Sequence, residues 1–332
     1  MNNKGMAITT VIYSIILLLS LCMFLALGIL RSEYTNDKQY ILDLREELND
    51  LLKGDEESYG VDKIIKQTGN KDNSGLYTIT HPADSTLQIG ATESITEYRY
   101  RGKVPKNYVT FNNEVWRIIG VFPVDDGNGN IENRIKLIRN ESIGDKFWDG
   151  SVSNNWARPA KINTELNTTY LNSLDSTSKS MIGNTKYYLG GYNNSLRIKK
   201  DVMYQYERKI SGSDYYNGSN SNNFIGKVAL MYASDYGYAA SDECTQTLVN
   251  YDNATCKNNN WLYNIKVSEW ILPQDASNSS SAFYVSSGGG VYRSDFYVTA
   301  DQFAVRPVLY LISSAKITGG SGTSSNPYKL SI

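Results

Sequence analysis

The chain has 332 residues, 41% of them apolar, which suits one large domain or two small ones. Its formal net charge is −1 and it has no run rich in Lys or Arg, so nucleic acid is excluded as a partner: such binders carry a basic patch or stripe. Abundant Tyr (26) and Gly (26) against scarce Pro (7), with Asn and Ser common in the second half, favour turns, strands and polar loops over a helical bundle.

Met6 to Leu30 is the strongest single feature. These 25 residues hold no charged side chain and, as a helix rising about 1.5 Å per residue, would cover roughly 37 Å, enough to cross a hydrocarbon core of about 30 Å. A secretory signal peptide has a shorter apolar core, about 7–15 residues, and a small-residue cleavage site that is not seen after Leu30. The lipid bilayer is therefore an expected partner. Further on, Ile41, Leu44, Leu48 and Leu51 form an apolar stripe on an otherwise charged stretch that Gly54 can terminate. The spacing predicts a helix over 6–53, roughly 70 Å long, with its inner half in lipid and its outer half a stalk. That seam would pack on a partner helix or on the chain's own domain.

Lys4 precedes the span, while Arg31, Lys38 and Arg45 follow it, which by the positive-inside rule alone favours a cytoplasmic C-terminal part. Two features favour the opposite. The tail before the span is too short to be exported cargo. The soluble part also has just two cysteines, Cys244 and Cys256, in a Tyr/Asn-rich, loop-like stretch. A disulfide between them would close a small ring worth about 3 kcal/mol, and would need an oxidising compartment. The alternative is two unrelated free thiols. The expected topology is a single-pass protein, N-terminus cytoplasmic and C-terminal domain extracellular, with Cys22 inside the span.

Asn2-Asn3-Lys4-Gly5, followed by Met6-Ala7-Ile8-Thr9-Thr10 and the unbroken apolar run, resembles the start of a type IV prepilin. The resemblance implies a leader over 1–5, cut by a prepilin peptidase between Gly5 and Met6, and a mature helix that packs against other pilin-like helices. The family usually has Glu at the fifth mature position, where this chain has Thr10. The likeness is therefore to minor pilins that cap or initiate a fibre. A plain signal anchor is the alternative.

Residues 54–97 begin polar and end in short strand-like pieces, and are expected to be a partly ordered linker. His81, the only histidine, precedes Pro82 and is read as a turn residue with no chemical role. A globular, extracytoplasmic domain is expected over 98–332. Val115–Phe122 and Arg134–Arg139 flank an Asp/Gly/Asn turn and predict a β-hairpin. That turn offers Asp126, Asn128, Asn130 and Glu132 at calcium-loop spacing. Counted from Asp126, however, loop positions six and twelve are Ile131 and Leu137 rather than Gly and Glu, so a plain turn is expected. Ile162, Leu166, Tyr170, Leu171 and Leu174 predict a helix over 161–174. Long loops follow, including Tyr187–Gly191 and Tyr215–Ser219, and strand-like runs return at 226–232, 270–272, 282–285, 305–311 and 326–330. The class is α+β: an antiparallel sheet, one or two helices and long loops.

Trp116-Arg117-Ile118-Ile119-Gly120 opens this domain and Val305-Arg306-Pro307-Val308-Leu309 closes it. In both it resembles an uncharacterised family of bacterial surface domains, and the closing strand is similar to that of the C-type-lectin-like superfamily. The resemblance implies a lectin-like fold in which Arg306 is a buried structural residue. Neither the lectin calcium motif nor the catalytic cysteine pattern of formylglycine-generating enzymes is recognisable, and Leu272-Pro273-Gln274-Asp275 only faintly echoes a sugar-binding loop.

One histidine, in a turn, leaves little material for a Ser-His-Asp or Cys-His arrangement, and two cysteines without a neighbouring His make no zinc set. No phosphate-cradling loop occurs, and Gly288–Gly290 lacks dinucleotide-loop spacing. No catalytic residue, cofactor or metal ligand is assigned. The leading expectation is a non-catalytic, membrane-anchored surface protein, minor-pilin-like or adhesin-like. Its Tyr/Trp/Asn-rich loops would contact a glycan or protein, while Trp116, Trp261 and Trp270 serve the core. The alternative is a membrane-bound extracytoplasmic hydrolase using paired carboxylates.

Overall fold

The computed structural model describes residues 17–24, 59–69, 74–194, 196–263, 267–294 and 298–332. Gly5, Met6 and most of the helix expected over 6–53 lie outside the described residues. Residues 17–24 are helical. Among the described residues, no helix is long and apolar enough to cross a membrane. The chain divides into two compact units, Met1–Glu57 and Ser58–Ile332.

The second unit is α+β, and its largest sheet has nine strands. These are β1 (Gly75–His81), β2 (Ile95–Arg101), β3 (Tyr108–Phe111), β4 (Glu114–Asp125), β5 (Ile131–Arg139), β9 (Val228–Ala229), β14 (Val308–Tyr310), β15 (Lys316–Gly319) and β16 (Tyr328–Ser331). The order runs β15-β16-β3-β4-β5-β14-β9, with β2 also on β4 and β1 on β2. Only the β16–β3 pair is parallel. At its centre stands the expected hairpin, β4 against β5, in register from Trp116↔Arg139 to Asp125↔Ile131. Trp116 through Phe122 of β4 are buried without a break. Such a continuous run belongs to a strand covered on both faces. A bulge falls between Ile118 and Gly120. A Cβ on Gly120 would stand 2.0 Å from the Tyr98 carbonyl oxygen, so only glycine lets β2 reach β4 there. In the hairpin turn the Asp126 carboxylate accepts the Asn128 N–H at 2.7 Å and the Asn130 side-chain amide at 3.1 Å. No metal-holding cluster occurs among the described residues.

A five-stranded sheet comprises β6 (Asp145–Phe147), β10 (Glu269–Gln274), β11 (Ala282–Val285), β12 (Val291–Arg293) and β13 (Gln302–Ala304), ordered β12-β11-β10-β13-β6. A two-stranded ribbon pairs β7 (Thr185–Tyr188) with β8 (Asn223–Gly226). Helices are short and more numerous than the one or two expected. They include α1 (Gly60–Ile65), α2 (Lys161–Glu165), α3 (Lys200–Glu207), α4 (Ala233–Ala239) and α5 (Ala254–Lys257). The helix predicted over 161–174 is α2 continued by a π-helical turn and a further α-turn, burying Ile162, Leu166 and Leu174.

The compact unit begins near Ser58, not at residue 98, and this corrects the linker expected over 54–97. Helix α1 buries Val61 and Ile64, and the Gly60 N–H donates to the Ala315 carbonyl at 2.8 Å. Strand β1 pairs with β2 over its whole length, Gly75↔Arg101 to His81↔Ile95. Cys244 and Cys256 are disulfide-bonded with Cα atoms 4.7 Å apart, fastening the loop after α4 to α5. Cys22 is free. All five tryptophans are buried. Trp148 meets Trp156 and Trp270 edge-on at ring-centroid distances of 5.4 and 5.6 Å, an arrangement aromatic quadrupoles favour. Arg306 is buried as expected, and clamps Glu269 with two 2.8 Å hydrogen bonds.

Candidate functional site

The loop after β7 reaches the surface where it crosses the end of β10. A Cβ on Gly191 would stand 1.8 Å from the Gln274 carbonyl oxygen, so the crossing requires glycine. The Gly191 N–H donates to the Tyr215 carbonyl at 3.0 Å, which joins this loop to the one following α3. The Tyr192 carbonyl accepts the Ala276 N–H at 3.0 Å. Tyr206 sits near the end of α3.

These anchors bring three half-buried tyrosines into one row. Ring centroids are 5.0 Å apart for Tyr192 and Tyr206, and 4.8 Å apart for Tyr206 and Tyr215. At the rim, the Asn193 amide donates to Asp214 at 2.5 Å. Lys209 Nζ lies 5.8 Å from the Tyr215 ring centroid, held by the Thr86 hydroxyl at 2.6 Å and by Asp84 at 3.5 Å. Burial, then Tyr192 and Asp214, raises the Tyr206 hydroxyl above its ordinary pKa; burial, then Tyr206 and Asp214, does the same for Tyr215. Both are therefore neutral hydrogen-bonding groups at physiological pH. An open groove of about 560 Å³ adjoins the row, lined by Ile210, Gly212, Tyr216, Asn220 and Asn222 among others. Gly212 lies against the Tyr215 ring, which makes groove and row continuous.

Of the loops singled out in the sequence, Tyr215–Ser219 belongs to this face, whereas Tyr187 and Tyr188 are buried in β7. Tyr206 was not singled out; it is one polar-face residue of a helix, and nothing local marks it. The face carries Tyr and Asn but no Trp. Leu272 to Gln274, only a faint echo of a sugar-binding loop in the sequence, is interior strand. The carboxylate of the adjoining Asp275 is spent on Ser277 and, at 3.1 Å, Arg293.

A second assembly lies inside the domain. His81 ends β1 rather than sitting in a turn; its ring stacks on Tyr204 at 3.5 Å and its Nε2 lies 3.3 Å from Glu97. Glu97 and Arg99 point to the same face of β2, as residues two apart must, and are joined at 2.7 Å. Arg99 Nη1 donates to Asp235 Oδ1 at 2.8 Å, and Lys136 Nζ from β5 donates to Asp235 Oδ2 at 2.5 Å. Asp235 is the third residue of α4, and caps the helix by accepting the Tyr232 N–H at 2.9 Å. Glu207 accepts from the Ser234 N–H at 2.9 Å and pairs with Arg208 at 3.0 Å.

Burial pushes the Glu97 carboxyl upward, but the Arg99 charge, the His81 hydrogen bond and Arg208 outweigh it and hold the group far below its usual range. For Glu207 burial prevails over Arg208 and Ser234, and the carboxyl is raised. The cavity beside this cluster, between Glu97, Tyr204, Arg208 and Tyr232, measures about 20 Å³, room for one water. Glu97, Asp235, Glu207 and Glu269 are closed from solvent and committed to partners within the fold. General acid–base work on a substrate needs hydrogen-bond reach to it, which these four lack. Compared with known proteins, the chain matches no family model, no curated protein and no solved structure.

Proposed function

We propose that this chain is a membrane-anchored bacterial surface protein with a non-catalytic, minor-pilin-like or adhesin-like role, whose C-terminal domain binds a glycan outside the cell. The observation that carries the reading is the row Tyr192–Tyr206–Tyr215 beside an open groove. Tyrosine rings offer broad contact at low entropic cost and lie against the apolar faces of sugar rings, while Asn and Ser supply adaptable hydrogen bonds. A protein ligand would use the same face. The Cys244–Cys256 disulfide supports an oxidising compartment. The uncharged Met6–Leu30 run supports a bilayer anchor. Lys4-Gly5 before that run supports cutting between Gly5 and Met6, leaving a helix able to pack with pilin-like helices. A C-type-lectin-like fold is part of the proposal and rests on the Val305–Leu309 segment, which leads into β14 and carries the buried Arg306.

A glycan array probed with the full chain in detergent tests the reading, with Tyr206→Ala and Tyr215→Ala as comparisons. Losing one stacking ring should weaken a positive glycan by about two- to tenfold, since aromatic contacts contribute about 0.5–1.5 kcal/mol beyond area burial. An array without positives, or equal binding by both variants, would remove the glycan reading.

A further inference from the structure

We propose that Lys136 and Asp235 become joined by an amide bond between Lys136 Nζ and Asp235 Cγ, an internal covalent cross-link between β5 and α4. Both side chains are fully closed from solvent and in contact, Nζ to Oδ2 at 2.5 Å. An ammonium carries three donors, yet among the described residues Lys136 has the Asp235 carboxylate as its sole hydrogen-bond acceptor. The rest of its surroundings are aromatic: the ring centroids of Tyr232, Tyr310 and Phe122 lie 4.4, 5.1 and 5.5 Å from Nζ. Such a cage tolerates a cation but gives its remaining protons no lone pairs. A secondary amide has a single N–H and no charge, so the bond removes two donors and an ion pair from this enclosure, while the Tyr232 N–H gives up its Oδ2 acceptor.

The two carboxylate oxygens have different company. Oδ1 accepts from Arg99 Nη1 at 2.8 Å, and Oδ2 accepts from Lys136 and from the Tyr232 N–H. In the reaction, a proton passes from Nζ to Oδ2 along their hydrogen bond, leaving a free amine and a carboxylic acid. The Nζ lone pair then adds to Cγ, and the charge gathering on Oδ1 is met by Arg99, as a fixed donor meets a developing oxyanion. The Cγ–Oδ2 bond breaks, and Oδ2 leaves as water with two of the three ammonium protons, the third staying on the amide nitrogen. Atoms and charge balance with no other reactant. Burial, working against the Asp235 charge, brings the Lys136 amine down to about 8, while the Lys136 and Arg99 charges outweigh burial and hold the Asp235 carboxyl below its ordinary value, so this first transfer is uphill and relies on the direct contact of the two groups. Groups held in contact react with effective molarities of about 10⁵–10⁸ M when well aligned, which makes an otherwise unfavourable condensation accessible. Afterwards the remaining buried charges still pair, Arg99 with Glu97 and Arg208 with Glu207.

Peptide mapping of the full wild-type chain tests this directly, after reduction and denaturation. The expected product of trypsin is a branched peptide containing Lys136 and Asp235, lighter than the two separate peptides by the mass of one water and uncut after Lys136. Lys136→Arg supplies the reference: two linear peptides, each of its sequence mass. The assignment is overturned if the wild-type chain is cut after Lys136 and yields the Asp235 peptide at its full linear mass. Because the measurement is made on the wild type, it does not depend on whether the variant folds.

Discussion

Replacing Arg306 with Met should cost several kcal/mol of stability, and the cost should depend on pH in a definite direction. Arg306 Nε and Nη2 each reach one oxygen of Glu269 at 2.8 Å, and Nη2 also donates to the Leu262 carbonyl at 2.8 Å. Both side chains are almost wholly buried, 6% and 4% exposed. Met fills comparable volume but strands Glu269 without its cation. Breaking a buried pair from one side costs about 3–5 kcal/mol, and the orphaned carbonyl adds about 1 kcal/mol. Burial already raises the Glu269 carboxyl above its ordinary 4.5, with Arg306 opposing. Without Arg306 it rises further, so the folded variant holds a proton that the unfolded chain has released. Its stability should therefore fall as pH rises from about 4.5 to about 7. Converting both residues to Met should recover most of the loss. Denaturant unfolding of the full chain in detergent, followed by tryptophan fluorescence near pH 5 and pH 7, measures both effects. A loss below about 1 kcal/mol, the value of an exposed pair, or a loss independent of pH, would refute the reasoning.

Glu97 gives the opposite dependence: its folded pKa lies below the ordinary 4.5, so its stabilisation is present above that pH and lost as pH falls further, and the denaturant midpoint should drop between about pH 5 and pH 3 while the Glu97→Gln variant stays flatter. An unchanged wild-type midpoint would contradict the Arg99 pairing. Gly191→Ala places a methyl against the Gln274 backbone and should cost about 1–3 kcal/mol as an overpacked site, together with reduced ligand binding as Tyr192 shifts; wild-type stability in this variant would show the crossing to be looser than described. Gly5→Val should block removal of the leader in cells with an active prepilin peptidase, and mass spectrometry of the wild-type N-terminus that finds Met1 retained would leave a plain anchor.

The hairpin β4–β5 was legible because Trp116 to Phe122 and Arg134 to Arg139 are β-branched and aromatic runs around a strong turn signal. The α2 region was legible because Ile162, Leu166 and Leu174 keep helical spacing. The domain boundary was not. In α1 Val61 and Ile64 are buried in the core with Ile65 packed partly against it, and the charged residues around them read as linker. His81 was misplaced because Pro82 marks the end of a strand as readily as a turn. Glu97 and Arg99, within Thr96-Glu97-Tyr98-Arg99-Tyr100-Arg101, belong to a short strand-like piece whose alternating charges carry no sign of burial. The Arg99 partner Asp235 lies 136 residues beyond it, and no local pattern announces such a contact. The tyrosine row was half visible, since Tyr215 stands in a conspicuous loop, while Tyr206 joins it only through the packing of α3.

The most direct test of the account is the side of the membrane on which the folded domain lies. Intact producing cells, with the wall digested where one is present, can be treated with a membrane-impermeant lysine reagent, and residues 59–332 then mapped by mass spectrometry. Exposed lysines of the domain should be labelled before lysis as fully as after it. Labelling confined to lysed cells would place the domain in the cytoplasm and contradict the surface role.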